Sequence, residues 1–300
     1  MAQSGNVTDR AGHADRALQP DRVAAPTLRA LIHAGWARLA GSSDSSRLEA
    51  ELLLAHALAQ PRSYLLSHDD EVPDASAVDS YLSLLERCAA GEPLAYLTGE
   101  REFWSLPLRV TPAVLIPRPE TELAVQRCLA LRDAGVATVA DLGTGSGAIA
   151  LALATERPHW RILATDRDAA ALAVATANAG RLGVSNIEFS LGDWFAPLQR
   201  RCFDLIVSNP PYVAASDPAL QLLRHEPAAA LSPGASGLEA LQQLVLQAPA
   251  HLRPGGWLVL EHGADQARKV ASSLVDAGFA RVRCHSDLAG RDRVTEAQWP

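Results

Sequence analysis

The chain has 300 residues, of which 48% are hydrophobic, and carries a formal net charge of −7. That length and apolar content allow two domains with cores of their own. The acidic balance, without any Lys/Arg block, excludes the footprint of a nonspecific nucleic-acid binder. Cys88, Cys128, Cys202 and Cys284 are scattered and form no C-x-x-C pair. They suggest neither a disulfide framework nor a zinc site, and a reducing cytosol is the expected compartment.

The first residues, Met1 to Pro20, are polar and mixed in charge, so neither a signal peptide nor a membrane span is expected, and residues 1–24 read as a disordered extension. Leu28, Leu31, Ile32, Trp36 and Leu39 have helical spacing, ended by Gly41. Asp44 can cap a second helix, striped with Leu48, Leu52, Leu53, His56 and Leu58, that stops at Pro61. A short helix over Arg62 to Ser67 and a longer one over Ala75 to Ala90 complete a small helical bundle, residues 25–91. Residues 92–118 then change character. Phe103-Trp104, Leu106 to Val110 and Val114-Leu115-Ile116 read as short strands broken by Pro112 and Pro117, a linking β-hairpin. Pro119 suits the first position of the next helix, and Glu120 and Glu122 favour its N-terminal end.

From residue 119 to residue 300 strands and helices alternate. Strands are expected at Val136–Leu142, Arg161–Thr165, Ile187–Ser190, around Leu205, at Trp257–Glu261, Arg281–His285 and Arg293–Ala297. Helices are expected at Ala148–Thr155, Ala169–Leu182, Gly237–Leu252 and Ala264–Ala277. This pattern is a doubly wound α/β domain with a mainly parallel sheet and an antiparallel pair at its end. Such sheets bind ligands at the carboxyl ends of their strands.

Four successive strand ends carry chemistry. Asp141-Leu142-Gly143-Thr144-Gly145-Ser146-Gly147 leaves the first strand and enters a helix. Its glycines permit a sharp turn and close ligand approach, and the helix start offers free N–H groups. Gly143, Gly145 and Ala148 also fit the dinucleotide fingerprint, so the glycines alone leave two cofactor classes open. Asp141 would repel a pyrophosphate but can hold the ammonium end of S-adenosylmethionine, directly or through water. Asp166, about 20 residues past the last glycine, stands where a carboxylate accepts both ribose hydroxyls, and Asp168 reads as a helix cap. Asp193 can take an adenine amine and Trp194 can pack on the ring, or Trp194 can be core. Finally, Asn209-Pro210-Pro211-Tyr212 ends a strand with carbonyls, a side-chain acceptor and a flat aromatic face, a setting that suits a planar group bearing NH2.

With these motifs in view the chain resembles the bacterial release factor glutamine methyltransferases, the HemK/PrmC family. The resemblance rests on Leu97-Thr98-Gly99, Arg101-Glu102-Phe103-Trp104, Leu115 to Glu122, the glycine loop, Asp193-Trp194, Asn209 to Tyr212, Glu226-Pro227, Glu261-His262-Gly263 and Gly290 to Val294. Asn209-Pro210-Pro211-Tyr212 alone is shared widely with methyltransferases of base amines; Pro117-Arg118-Pro119-Glu120-Thr121 after a helical domain is specific to the release factor enzymes. The tail departs from the family: Thr295-Glu296-Ala297-Gln298 stands where Thr-Leu-Gly-Arg is usual.

The resemblance implies a Rossmann-like class I S-adenosylmethionine-dependent methyltransferase domain preceded by a small helical bundle that docks the substrate. It also implies a cytoplasmic monomer that methylates the glutamine amide in the Gly-Gly-Gln loop of class I peptide chain release factors, without direct nucleic-acid or membrane contact. Cofactor binding then falls to Asp141, Gly143, Thr144, Gly145, Ser146, Gly147, Asp166, Asp193, Trp194 and Asn209. Substrate binding falls to Asn209, Pro210, Pro211 and Tyr212, with Asn209, Pro210 and Tyr212 catalytic and no metal. A ribosomal-protein glutamine methyltransferase, a nucleic-acid exocyclic-amine methyltransferase and a non-catalytic cofactor-binding scaffold are the alternatives. His225 and His262 lack partners at metal-ligand spacing, and Arg101 and Arg118 can meet either the substrate loop or nearby acids.

Overall fold

A computed structural model describes residues 25–41, 45–132 and 135–300. The expected extension, residues 1–24, and the expected cap Asp44 lie outside the described residues. The chain divides into two compact units, Met1–Leu85 and Glu86–Pro300.

The first unit is helical. α1 (Leu28–Leu39) starts at Thr27, whose side chain accepts from Ala30 N, and buries Leu28, Leu31 and Leu39. α2 (Ser46–Ala57), α3 (Arg62–Ser67) and the greater part of α4 (Ala75–Ala89) complete it. Gly35 on α1 is required by close approach: a Cβ there would stand 1.8 Å from the Tyr81 hydroxyl. The bare backbone lets fully buried Tyr81 donate to Leu31 O at 3.2 Å.

In the second unit α5 (Leu94–Thr98) occupies a stretch that reads as linker in the sequence. Pro93 fixes the backbone at its start, and Gly99, in the left-handed region at φ 75, ends it. β1 (Glu100–Phe103) and β2 (Leu106–Arg109) form the expected hairpin. Val114 to Ile116 is not its third strand. Its polar groups go elsewhere: Val114 O accepts from the Tyr96 hydroxyl, and Ile116 N donates to Glu226. With no ladder partner and a proline at each end, the segment packs as an irregular strap whose Val114 and Ile116 are buried.

A 3₁₀ turn (Pro119–Thr121) leads into α6 (Glu122–Leu131), and a seven-stranded sheet follows. Its strands are β3 (Thr138–Leu142), β4 (Arg161–Asp166), β5 (Ile187–Leu191), β6 (Phe203–Ser208), β7 (Leu252–Glu261), β8 (Ala280–Ser286) and β9 (Asp292–Gln298), in the order β5-β4-β3-β6-β7-β9-β8. All pairs from β5 to β7 are parallel, and the β7–β9 and β8–β9 pairs are antiparallel. The mainly parallel α/β architecture and its antiparallel end are therefore as expected.

α7 (Ala148–Glu156) and α8 (Ala169–Leu182) connect β3 to β5, while α11 (Glu239–Gln247) and α12 (Ala267–Asp276) flank β7. α7 is apolar on all sides, with Ala148 to Ala154 buried, as a helix enclosed in a core must be. Ile149, Leu151 and Leu153 each contribute about 2 kcal/mol by burial. Two short helices, α9 (Ala219–Leu222) and α10 (Ala228–Leu231), lie in the stretch after β6 and are too short to leave a periodic signal. Strand order reverses between β3 and β6, which opens a crevice at their carboxyl ends.

Candidate active site

A cavity of about 390 Å³ occupies that crevice, lined by the loops after β3, β4, β5 and β6 and by the strap before α6. The loop after β3 is strapped to β4: Gly143 N and Thr144 N both donate to Thr165 O at 2.9 Å, and Gly145 N donates to Asp166 Oδ2 at 2.9 Å. Gly147 caps α7 at φ 84, where a Cβ would press Ala175 at 3.2 Å, so only glycine closes this turn without strain. Gly143, Thr144, Gly145 and Ser146 border the cavity.

Asp141 does not border it. It lies beneath the loop, 1% exposed, accepting from the Thr144 hydroxyl at 2.6 Å, with Oδ1 left without a partner. Burial pushes its carboxyl up to about 7 against the pull of Thr144. Because the folded value exceeds the unfolded one, the stability tied to the neutral form is fully present below the ordinary value of 3.8 and is lost as pH rises from there through about 7. Asp141→Asn is therefore expected to raise the thermal midpoint of the unliganded protein at pH 8 and to raise it by clearly less at pH 5. An equal shift at both values would contradict the burial argument.

Asp166 lines the cavity at the end of β4. Its oxygens accept from Gly145 N and Asp168 N, both at 2.9 Å, and each keeps a lone pair for a ligand hydroxyl. Asp168 caps α8 through Ala170 N at 2.8 Å, as its position suggests. Exposed Asp193 and half-buried Trp194 line the far wall, and Trp194 lies against Gly143, where a Cβ would stand 3.3 Å from its ring. The indole also packs on a core cluster that includes residues of β3, β4, β6 and β7.

After β6, Ser208 donates to Leu142 O at 2.6 Å and ties the ends of β6 and β3 together. Asn209 and Pro211 line the cavity, while Pro210 is buried. Asn209 Nδ2 donates to Thr121 Oγ1 at 3.1 Å. The Tyr212 ring packs on the core and does not border the cavity; its hydroxyl donates to Glu261 Oε1 at 3.2 Å. Burial and the Glu261 charge push the phenol upward.

Several lining or supporting residues carry no site signal in the sequence alone: Thr121, Arg167, Glu226, Pro227 and the strap from Ala113 to Pro117. Glu226, 7% exposed, holds the strap by accepting from Ile116 N at 3.0 Å and from the Arg118 guanidinium. Both partners sit in motifs visible in the sequence, but nothing in a single chain says that positions 118 and 226 meet. Glu226→Ala leaves a buried amide and a partly buried guanidinium unpaired, and is expected to cost about 2 kcal/mol in urea unfolding. No loss of stability would show that the strap is held by packing alone.

Glu122 is taken up by Trp104 N at 2.9 Å, and buried His262 bonds Gly263 O and Thr295 Oγ1. Among the described residues no group of three or more His, Cys, Asp or Glu is placed to hold a metal ion, and no helix is long and apolar enough to cross a membrane.

A family model described as PrmC N-terminal domain matches residues 30–99, and one described as Methyltransferase small domain matches residues 123–236. A release factor glutamine methyltransferase of Xylella fastidiosa (strain Temecula1) is 50% identical over 264 residues, covering 87% of this chain and 96% of its own. One from Pseudomonas aeruginosa is 48% identical over 86% of this chain and 94% of its own. Among solved structures, a Thermus thermophilus 16S rRNA N2 methyltransferase in complex with AdoMet and guanosine superposes with TM-score 0.52 at 22% identity, over 67% of this chain and 50% of that one. At that identity the likeness shows the fold alone. The chain belongs to the release factor glutamine methyltransferase family.

Proposed function

From that membership and the cavity's chemistry, we propose that the protein transfers the methyl group of S-adenosyl-L-methionine to the side-chain amide nitrogen of the glutamine in the Gly-Gly-Gln loop of class I peptide chain release factors. The observation that carries the reading is the placement of Asn209 on the wall of a cavity whose other walls are the glycine loop, Asp166 and Asp193-Trp194. The residues suit that cofactor. A cavity of about 390 Å³ is in the range of small-molecule sites, Asp166 keeps acceptor capacity for two ribose hydroxyls, and the buried Asp141 below the loop favours a cationic ligand above it.

When bound, S-adenosylmethionine supplies an electrophilic methyl on a sulfonium. The protein's part is orientation. An amide nitrogen is a poor nucleophile because its lone pair is delocalised. Asn209 Oδ1 and the Pro210 carbonyl accept its two N–H groups, aim the nitrogen at the methyl and stabilise the charge that develops on it. With the cofactor bound, its sulfonium would supply the methyl and act as leaving group, while the Asn209 and Pro210 oxygens would hold the nitrogen as it gives up one proton to solvent. Pro211 lines the substrate side, and Tyr212 backs the loop from the core. The helical unit is assigned the docking of the factor, in a cytoplasmic setting.

The test is transfer of a labelled methyl to an intact release factor, to its loop-glutamine-to-alanine variant and to a nucleic-acid control. Label on the intact factor alone is expected. Label on nucleic acid alone would keep the cofactor and move the acceptor to a base amine.

A further inference from the structure

Behind Asn209 lies a buried polar chain that the reaction as described leaves unused. Asn209 Nδ2 donates to Thr121 Oγ1 at 3.1 Å, and Thr121 is 4% exposed. Glu261, 1% exposed at the carboxyl end of β7, accepts from the Tyr212 hydroxyl at 3.2 Å. The Thr121 hydroxyl favours the ionised form of Glu261, whose Oε2 is left without a hydrogen-bond partner and so open to it.

A hydroxyl set between a carboxylate and an amide turns its proton to the carboxylate, the stronger acceptor, and its lone pairs to the amide. Only the NH2 end of Asn209 can face those lone pairs. Oδ1 is then left for the cavity. We propose that Thr121 is a positioning residue for methyl transfer: it fixes the Asn209 amide with Oδ1 toward the acceptor nitrogen, and the Glu261 charge biases the Thr121 hydroxyl. The proposal rests on the reading of Asn209 as the group that orients the substrate amide.

The same chain makes turnover depend on the charge of Glu261. Burial pushes its carboxyl up to about 7; the Thr121 and Tyr212 hydroxyls and Arg293 on β9 pull it down, and Glu120 on the 3₁₀ turn pushes it up. Once Glu261 is protonated, it no longer claims the Thr121 proton. That proton can turn to Asn209, the amide can flip, and an NH2 group then meets the substrate's own N–H groups. The rate at saturation should therefore fall on the acid side of about pH 7. Asp141, pushed to a similar value, lies under the cofactor loop, so its titration is read in cofactor affinity and not in the saturated rate.

The experiment compares Thr121→Val, Thr121→Ser and Glu261→Gln with wild type in the full chain, using intact release factor and labelled S-adenosylmethionine, with thermal melts and cofactor calorimetry alongside. Thr121→Val is expected to lower kcat by about 10- to 100-fold while the KM for the factor and cofactor affinity stay near wild type. Thr121→Ser should recover most of that loss, and Glu261→Gln should have a lowered kcat without the acid limb. Wild-type kcat in Thr121→Val, no recovery in Thr121→Ser, or an unchanged acid limb in Glu261→Gln would overturn the positioning role while transfer to the factor stands. Failure of the wild type to label the factor would overturn the functional reading, and this proposal with it.

Discussion

Asn209→Ala is expected to lower kcat for methyl transfer by on the order of 10³-fold, equivalent to about 4 kcal/mol of lost transition-state stabilisation. The size follows from what the side chain does. Oδ1 is one of two acceptors aimed at the substrate amide, and the amide nitrogen becomes positively charged only as the methyl arrives. The lost interaction is therefore stronger in the transition state than in the ground state, and the deficit falls on kcat more than on KM. Asn209 is half-buried on the cavity wall, and its side-chain amide donates to Thr121. Its truncation leaves the glycine loop and Asp166 in place, so cofactor binding should persist in part. Single-turnover transfer beside calorimetric titration of the cofactor separates the two quantities. Near-normal transfer would remove Asn209 from the orientation scheme.

Asp166→Ala should do the reverse, weakening cofactor affinity by about 10²-fold, or roughly 3 kcal/mol, because hydrogen bonds to a charged group are worth about 1.5–3 kcal/mol each and two ribose hydroxyls lose their acceptor. Asp166 also accepts from Gly145 N and Asp168 N, so the substitution releases the glycine loop from β4 as well. Transfer at saturating cofactor should recover toward wild type. Calorimetry decides: unchanged affinity would take the ribose role from Asp166, and a variant that saturates yet stays inactive would place Asp166 in the chemistry.

The sheet, its antiparallel end and the motif-bearing strand ends were legible because each leaves a local mark: apolar β-branched runs, glycines at a turn, acids at strand ends. What stayed hidden is of two kinds. Segments whose polar groups are satisfied at a distance look like strands or linker by composition. Val114 to Ile116 reads as a strand because it is apolar, yet its backbone is bonded by Tyr96 and Glu226, and α9 and α10 are single turns without a period. The second kind is pairing across the chain. Thr121 looks like one more polar residue at a helix start, and Glu261 like the last residue of a strand. Only the β6–β7 pairing and the turn before α6 bring them to Asn209 and Tyr212. Asp141 differs from both: its place in the motif suggests ligand contact, directly or through water, and the fold puts it under the loop.

The most direct measurement is peptide-level mass spectrometry of an unmethylated release factor after incubation with this protein and S-adenosylmethionine. One added methyl on the side-chain amide nitrogen of the Gly-Gly-Gln loop glutamine is the expected result. A methyl on any other residue, or an unmodified factor beside methylated nucleic acid in the same reaction, would contradict it.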